Sequence, residues 1–397
     1  MKCLHTEKWR ATAAYTMVQF VTWCFYAIIM TFSSNVLHEF GFSDSQISLL
    51  LAIATGSAFV LQVGIAELIG RCEKISVWAV LVTLGLLMIL GNVVILVPGI
   101  PAWVAICAFG SACMILQIIP PLANAMGMDA IKRGSSTSYS IARGMGSLGY
   151  CLLAYVTGLA VSARGIRTVP VITIICASVL VTAVICFHLV VERKLKTPAL
   201  APAAEQKKQR GFLRQYPRFA LFLAASVLLQ LSHNLLCNFM YQIMLIKQGG
   251  AAEQGTANAI CAFVEIPVMI LFPLMMRKLR CDKWVRFSAM FVVIKSVGFL
   301  LASTPIGIYA IQTTQMLGYG LYTISSVNYA EMVVAPGESV RAQSYLGATS
   351  TVGILLAVGM GGVICDYFGA QIMILVSAIF GLLGGLIIAL TAQKTKQ

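Results

Sequence analysis

Two ionisable side chains of opposite sign stand where their sequence neighbours offer no water. Glu265 lies roughly ten residues into the apolar run Gly255 to Met275, hence about 15 Å deep at a helical rise of 1.5 Å per residue. Lys295, in the next run, Phe287 to Ser303, is a comparable distance from the connection between the two. A charge at the centre of a bilayer costs about 2.5–3.5 kcal/mol, so each must face a cavity or find a partner, and the acid has the further option of holding a proton. Consecutive spans with a short connection pack as antiparallel neighbours, which brings both groups to one depth. Desolvation favours their neutral forms and mutual attraction their charged forms. A cavity that opens and closes can therefore switch the carboxylate between paired and protonated, which is the chemistry of proton coupling. The plainer roles are a protonated packing acid and a snorkelling lysine. His233 is the third titratable candidate, its plainer role being a hydrogen bond between helices.

Around these lie uncharged polar groups at helical spacing. Asn234, Asn238, Tyr241 and Gln242 share one face of a continuous helix. Gln19, Trp23 and Tyr26 form a similar stripe, as do Gln312, Gln315, Tyr319 and Tyr322. Such stripes on membrane helices line a cavity or hydrogen-bond a neighbouring helix. Amides that read hydroxyls and aromatics that stack on rings imply a polar, mostly neutral ligand. Arg143 stands nearer the end of its run, where a long side chain reaches water. Asp129, on the far side of the preceding connection, is placed to pair with it or to be solvated.

The elements that carry these residues follow from composition. Of 397 residues 59% are hydrophobic and 11% charged, and mean hydropathy is +0.88. A soluble domain carries about 25% charged residues, so water cannot be the solvent of this surface. That excludes a soluble enzyme, a nucleic-acid binder and a disordered scaffold, and makes the lipid bilayer the partner of most of the surface. Apolar runs separated by charged or Pro/Gly breaks number twelve: 12–34, 46–68, 77–97, 102–125, 138–161 and 169–191, then 219–245, 255–275, 287–303, 307–333, 343–364 and 370–392. The expected fold is an all-α membrane protein of twelve transmembrane helices in two six-helix halves, residues 1–191 and 219–397, joined by a basic linker, 192–218. With both termini inside, 23 of the 28 Lys and Arg fall on the cytoplasmic side and 3 outside, which orients the chain by the positive-inside rule. The first run continues to Ser34 without a cleavage signal and reads as a span rather than a leader. The twelve cysteines, scattered through apolar runs with no CxxC, read as small packing residues.

Specific motifs add a family resemblance. GIAELIGRCEK, between the second and third runs, places Glu67, Gly70 and Arg71 as in the loop motif of the major facilitator superfamily, although its leading glycine is Val63 here. The second half repeats the position as PLMMRKLRCDK. YAEMVVAPGESVRAQS, with Glu331 and Arg341, resembles the facilitator connection between spans 10 and 11, and GGVICDYFG the glycine-rich end of span 11. Within the superfamily the chain resembles the lactose permease group, which includes oligosaccharide, nucleoside and phenylpropionate symporters. YSIARGMGSLGY sets Arg143 and Tyr150 where that group grips sugar hydroxyls and follows with an aromatic residue. EQGT and EIPVMILFPL set Glu265 where it couples sugar to protons, and SHNLLCNFMYQ resembles its Ser-His segment. There are departures: the sugar-binding acid of span 4 falls near Ala125 beside Asn124, the histidine and glutamate of the span 10 relay fall at Gln315 and Gly318, and the span 9 arginine is Lys295.

The resemblance implies a major facilitator fold with pseudo-two-fold symmetry, each half a 3+3 inverted repeat. It implies cavity helices 1, 4, 7 and 10 and a cytoplasmic gate at Glu67, Gly70 and Arg71. The expected protein is a monomeric inner-membrane symporter without cofactor or metal, whose partners are protons and a small polar organic solute such as a glycoside or nucleoside. Alternatives are a proton-driven exporter of amphipathic compounds and a transporter-like receptor that does not transport. No nucleophile-base pair, metal cluster or phosphate loop points to an enzyme.

Overall fold

A computed structural model of the chain describes residues 2–71, 75–137, 139–195, 212–335 and 339–395, and regular structure within them is helical. The first six long helices are α1 (Lys2–Glu39), α2 (Asp44–Arg71), α3 (Val77–Ile95), α4 (Ala102–Lys132), α5 (Tyr139–Arg164) and α6 (Thr168–Val190). After the short α7 (Phe212–Gln215) come α8 (Pro217–Asn238), α9 (Met240–Ile246), α10 (Ala251–Met275), α11 (Cys281–Leu301), α12 (Pro305–Gln312), α13 (Tyr319–Val333), α14 (Ser339–Phe368) and α15 (Ala370–Thr391). Helices are the form an apolar run must take in lipid, because each N–H and C=O then finds its partner within the segment. Helix starts carry local signals. Thr304 Oγ1 accepts from the Gly307 N–H at 3.2 Å, ahead of Pro305 in the first turn of α12, and Glu253 caps α10 by accepting from the Gly250 N–H at 2.8 Å.

Eleven of these helices are long and apolar enough to cross a bilayer. The twelfth crossing expected, 307–333, is not one helix. It consists of α12, a 3-10 turn at Thr313–Met316, and α13 restarting after Gly318. The seventh is also interrupted, at Phe239, between α8 and α9. Both interruptions fall within stripes expected on continuous helices, that of Asn234 to Gln242 and that of Gln312 to Tyr322.

The chain divides into two compact units, Met1–Phe42 with Ile53–Lys207, and Ser43–Ala52 with Lys208–Gln397. In the first, α1 packs against α5 and α6, and α3 against α4 and α6. In the second, α8 packs against α14 and α15, and α11 against α13 and α15. Counted by crossing, these are the same pairings, so one six-helix plan is built twice. Leu301, Ile306 and Leu390 stand largely exposed on helix exteriors, a surface suited to hydrocarbon.

The opening turns of α2 belong to the second unit. The Asp366 carboxylate accepts from the N–H groups of Asp44 at 3.1 Å and Ser45 at 2.7 Å, occupying the positive end of the helix. Gly362 N–H donates to Ser48 Oγ at 2.8 Å, and Gln242 Nε2 donates to the Asp44 carboxylate at 2.6 Å. Gln242 is thus a fastening of α9 to α2, not a member of a stripe with Asn234.

Candidate functional site

Gln315 is the centre of the polar cluster in the second unit. The 3-10 turn that carries it is stabilised by its own hydroxyls: Thr313 Oγ1 donates to the Ala310 carbonyl and Thr314 Oγ1 to the Ile311 carbonyl, each at 2.7 Å. The tighter winding points Gln315 at α10 and α11. Its Nε2 donates to Glu265 Oε1 at 2.6 Å, and its Oε1 accepts from Lys295 Nζ at 2.6 Å. Only this orientation of the amide satisfies a carboxylate on one side and an ammonium on the other. Lys295 and Gln315 are 2% and 1% exposed, so the bond between them lies away from water, while Glu265 is half-buried. The direct pairing of Glu265 with Lys295 expected from their common depth is replaced by a bridge, because Gln315 occupies the space between them. Gly320 allows the acid to approach α13, since a Cβ there would stand 3.0 Å from Glu265 Cγ.

A second string of contacts continues from the lysine. Lys295 Nζ lies 4.0 Å from Cys261 Sγ and 5.6 Å from the Phe299 ring centroid. On α8 the Cys237 sulfur is 3.5 Å from His233 Nε2 and 3.8 Å from Nδ1. The His233 ring stacks on Tyr319 with centroids 3.6 Å apart. Tyr319 donates its hydroxyl to Gln230 Oε1 at 2.9 Å, and Gln230 Nε2 donates to Ser350 Oγ at 2.9 Å. Cys237 and Cys261 therefore sit in a polar cluster, and Cys107 and Cys186 are exposed, which corrects the view of all cysteines as buried packing. Of the other expected residues on these spans, Asn234 turns back to donate to the Gln230 carbonyl at 2.8 Å. Buried Asn238 Nδ2 and both amide atoms of Gln312 have no partner. Tyr322 is buried, its ring 6.5 Å from that of Tyr319, and Tyr241 is half-buried on α9.

The first unit has its own polar centre. Gln19 Nε2 is shared between the Tyr15 hydroxyl at 2.7 Å and Asn124 Oδ1 at 2.9 Å, and Tyr15 donates to the Ala123 carbonyl at 3.2 Å. The Arg143 guanidinium lies over the Trp23 ring, 4.0 Å from its centroid, and reaches Ser147 Oγ at 3.4 Å. Trp23 in turn lies 5.6 Å from Tyr26, and the Tyr150 hydroxyl is 3.2 Å from Thr31 Oγ1. This joins Gln19 to Asn124 and Trp23 to Arg143. Asp129 does not meet Arg143: it pairs at 2.8 Å with Arg133, four residues along the same helix.

Glu67, Gly70 and Arg71 lie on α2, and their side chains, like that of Arg341, fall outside the described residues; Glu331 is exposed on α13. Among the described residues no group of three or more His, Cys, Asp and Glu side chains is arranged to hold a metal ion. Tyr15, Gln230, Ser350, Cys237 and Cys261 enter the two centres without having been singled out by sequence. Gln230 carried a usable signal, an amide within an apolar run one helical turn before Asn234.

Known proteins bear on this architecture. No curated protein matches the sequence. Among solved structures, the nucleoside transporter NupG aligns with a TM-score of 0.78 at 14% identity, covering 96% of this chain and 98% of its own. A peptide transporter of the POT family aligns at 0.74 and 12% identity, covering 98% of each chain. A bacterial homologue of the iron transporter ferroportin aligns at 0.75 and 14% identity, covering 97% of this chain and 99% of its own. At these identities the likeness is one of fold. The sequence pattern of the MFS_1-like family matches residues 12–376, and the chain belongs to that family of major facilitator membrane transporters rather than to any class of enzyme.

Proposed function

We propose that this transporter is a proton-coupled symporter of a small polar organic solute, a glycoside or a nucleoside, working by alternating access as a monomer in the inner membrane. The observation that carries this reading is the bond series Glu265, Gln315, Lys295 at the middle of three spans. When Glu265 is ionised, its charge is held by the Gln315 amide, whose oxygen in turn faces the Lys295 ammonium. When it takes a proton, the acid becomes neutral and the amide is free to bond elsewhere. One proton thereby changes which groups are committed to one another, and a ligand that engages the released amide couples its own binding to that proton. In the first unit, taken by itself, the Arg143 and Trp23 stack is a platform for a ring, and the Gln19 and Asn124 amides are readers of hydroxyls.

Glu265→Gln separates coupling from binding, because the isosteric amide still accepts from Gln315. In proteoliposomes supplied with tritiated uridine or a radiolabelled thiogalactoside, the variant is expected to lose accumulation driven by an imposed pH gradient and to retain exchange of the solute across the membrane. Accumulation equal to that of the parent would remove Glu265 from coupling.

The orientation proposed, both termini cytoplasmic, follows from the 23 to 3 division of basic residues. A carboxy-terminal fluorescent fusion in a bacterial host is expected to fluoresce and a phosphatase fusion at the same site to be inactive; the reverse pattern reverses the topology.

A further inference from the structure

The connection from α10 to α11 repeats, in the second half, the place where Glu67 stands in the first, and there Arg277 takes the position of the acid. From Met276 to Arg286 the chain holds five basic residues and one acid. That acid is already engaged. Asp282 is fully buried, bound by the Arg280 guanidinium at 3.0 and 3.1 Å and by the Thr395 N–H and hydroxyl at 3.2 and 3.1 Å. Arg286 donates to the Ala392 carbonyl. Arg277, Lys278 and Lys283 stand exposed, and so does Lys394, whose neighbours Gln393 and Thr395 are fastened to the Tyr329 hydroxyl and to Asp282. No ion pair among the described residues engages these four. The turn itself is fixed, because the Met275 carbonyl accepts from the N–H groups of Lys278 at 3.0 Å and Leu279 at 3.3 Å and from Trp284 Nε1 at 3.1 Å. Four cations are thus held at one end of the unit, where an anion relieves their repulsion.

What they meet is set by α11. Lys283, Phe287, Met290, Ile294, Val297 and Leu301 recur at helical spacing and all are exposed, so one face of α11 is turned outward along its length. From Lys283 to Leu301 that face runs about 27 Å at 1.5 Å per residue, close to one hydrocarbon thickness. Lys283 heads it beside Trp284, a residue type favoured at the headgroup level. The cations therefore lie at phosphate depth, at the end of a surface suited to acyl chains. We propose that the turn between α10 and α11, the head of α11 and Lys394 form a binding site for an anionic phospholipid, with its phosphate against the cations and an acyl chain along the exposed face of α11. In the orientation proposed above this is the cytoplasmic leaflet, where anionic lipids concentrate. None of these residues belongs to the coupling cluster, so the site stands or falls apart from the solute.

The test places the full chain in phosphatidylcholine nanodiscs holding a small fraction of phosphatidylglycerol with a diazirine in its acyl chain, followed by illumination, digestion and mass spectrometry. The expected label falls on Phe287, Met290 or Ile294, is displaced by unlabelled phosphatidylglycerol at constant total lipid but not by inorganic phosphate, and weakens as salt is raised. The probe fraction that gives half-maximal labelling is expected to rise about fivefold for each charge removed by Arg277→Gln, Lys278→Gln, Lys283→Gln and Lys394→Gln. Lys283→Gln alone leaves the bonds of Asp282 in place, which keeps the test on a folded protein. Arg164→Gln with Arg167→Gln, exposed cations of the first unit, should leave the labelling of α11 unchanged. Equal labelling of α11 by a phosphatidylcholine carrying the same diazirine, or labelling that the four substitutions leave unaltered, overturns the site. Displacement by inorganic phosphate assigns the cations to a soluble anion and overturns the lipid.

Discussion

Gln315→Leu is expected to destabilise the protein by about 3–5 kcal/mol, the cost of leaving a buried charge without its compensation. The amide contributes little packing that leucine cannot replace, so the loss is electrostatic. Lys295, 2% exposed, would lose the oxygen 2.6 Å from its nitrogen, and Glu265 would lose the hydrogen bond that it accepts from the Gln315 amide. Adding Lys295→Met and Glu265→Gln removes both stranded charges, so the triple variant should be more stable than Gln315→Leu alone, an inversion of the usual accumulation of damage. Denaturant unfolding in mixed micelles, followed by near-ultraviolet circular dichroism, measures both. A Gln315→Leu protein as stable as the parent would show that the amide does not hold the cluster together.

Gly127→Ala is the second substitution with a large expected effect. A Cβ on Gly127 would collide with the Tyr15 ring, which is fully buried and packed against Tyr139 and Phe187. Overpacking of this kind costs about 1–3 kcal/mol. Displacing the ring also breaks the Tyr15 bond to the Ala123 carbonyl and deprives Gln19 of one of its two acceptors. The companion Tyr15→Leu, which vacates the space Gly127→Ala needs, should cost less in that background than alone; a double-mutant cycle in thermal stability gives the sign. Strictly additive effects would mean that the ring does not fix the approach of α1 to α4.

The two centres differed in how far they could be read from sequence. Glu265 and Lys295 were legible because an ionisable group inside an apolar run has few uses, and antiparallel neighbours set their common depth. Gln19, Asn124, Trp23 and Arg143 were legible as candidates, but not the joining of Gln19 to Asn124 and of Trp23 to Arg143, 105 residues apart in the first case. The bridge through Gln315 was hidden by the assumption of an unbroken helix. No proline interrupts Gln312 to Gly318; the break is made by two threonine hydroxyls that take up carbonyls released by tighter winding, a balance that periodicity does not register. Gln242 was misread for a related reason. Its amide fits a cavity-lining stripe as well as it fits the Asp44 carboxylate, and the partner, 198 residues away, is chosen by tertiary packing.

The interrupted crossing also bears on how the chain is built. Its two helices have 8 and 15 residues, about 12 and 22 Å at 1.5 Å per residue, against a hydrocarbon layer about 30 Å thick. Where the first helix ends the chain runs Gln312, Thr313, Thr314, Gln315, four consecutive polar side chains. Neither piece can span the layer alone, and the join between them finds its side-chain partners on α10 and α11. During biogenesis this crossing therefore cannot settle as an independent inserting unit, as the eleven long helices can. It reaches its final winding only once Glu265 and Lys295 are in the membrane to receive it, so helix formation, insertion and assembly of the polar centre become a single event at this point in the chain.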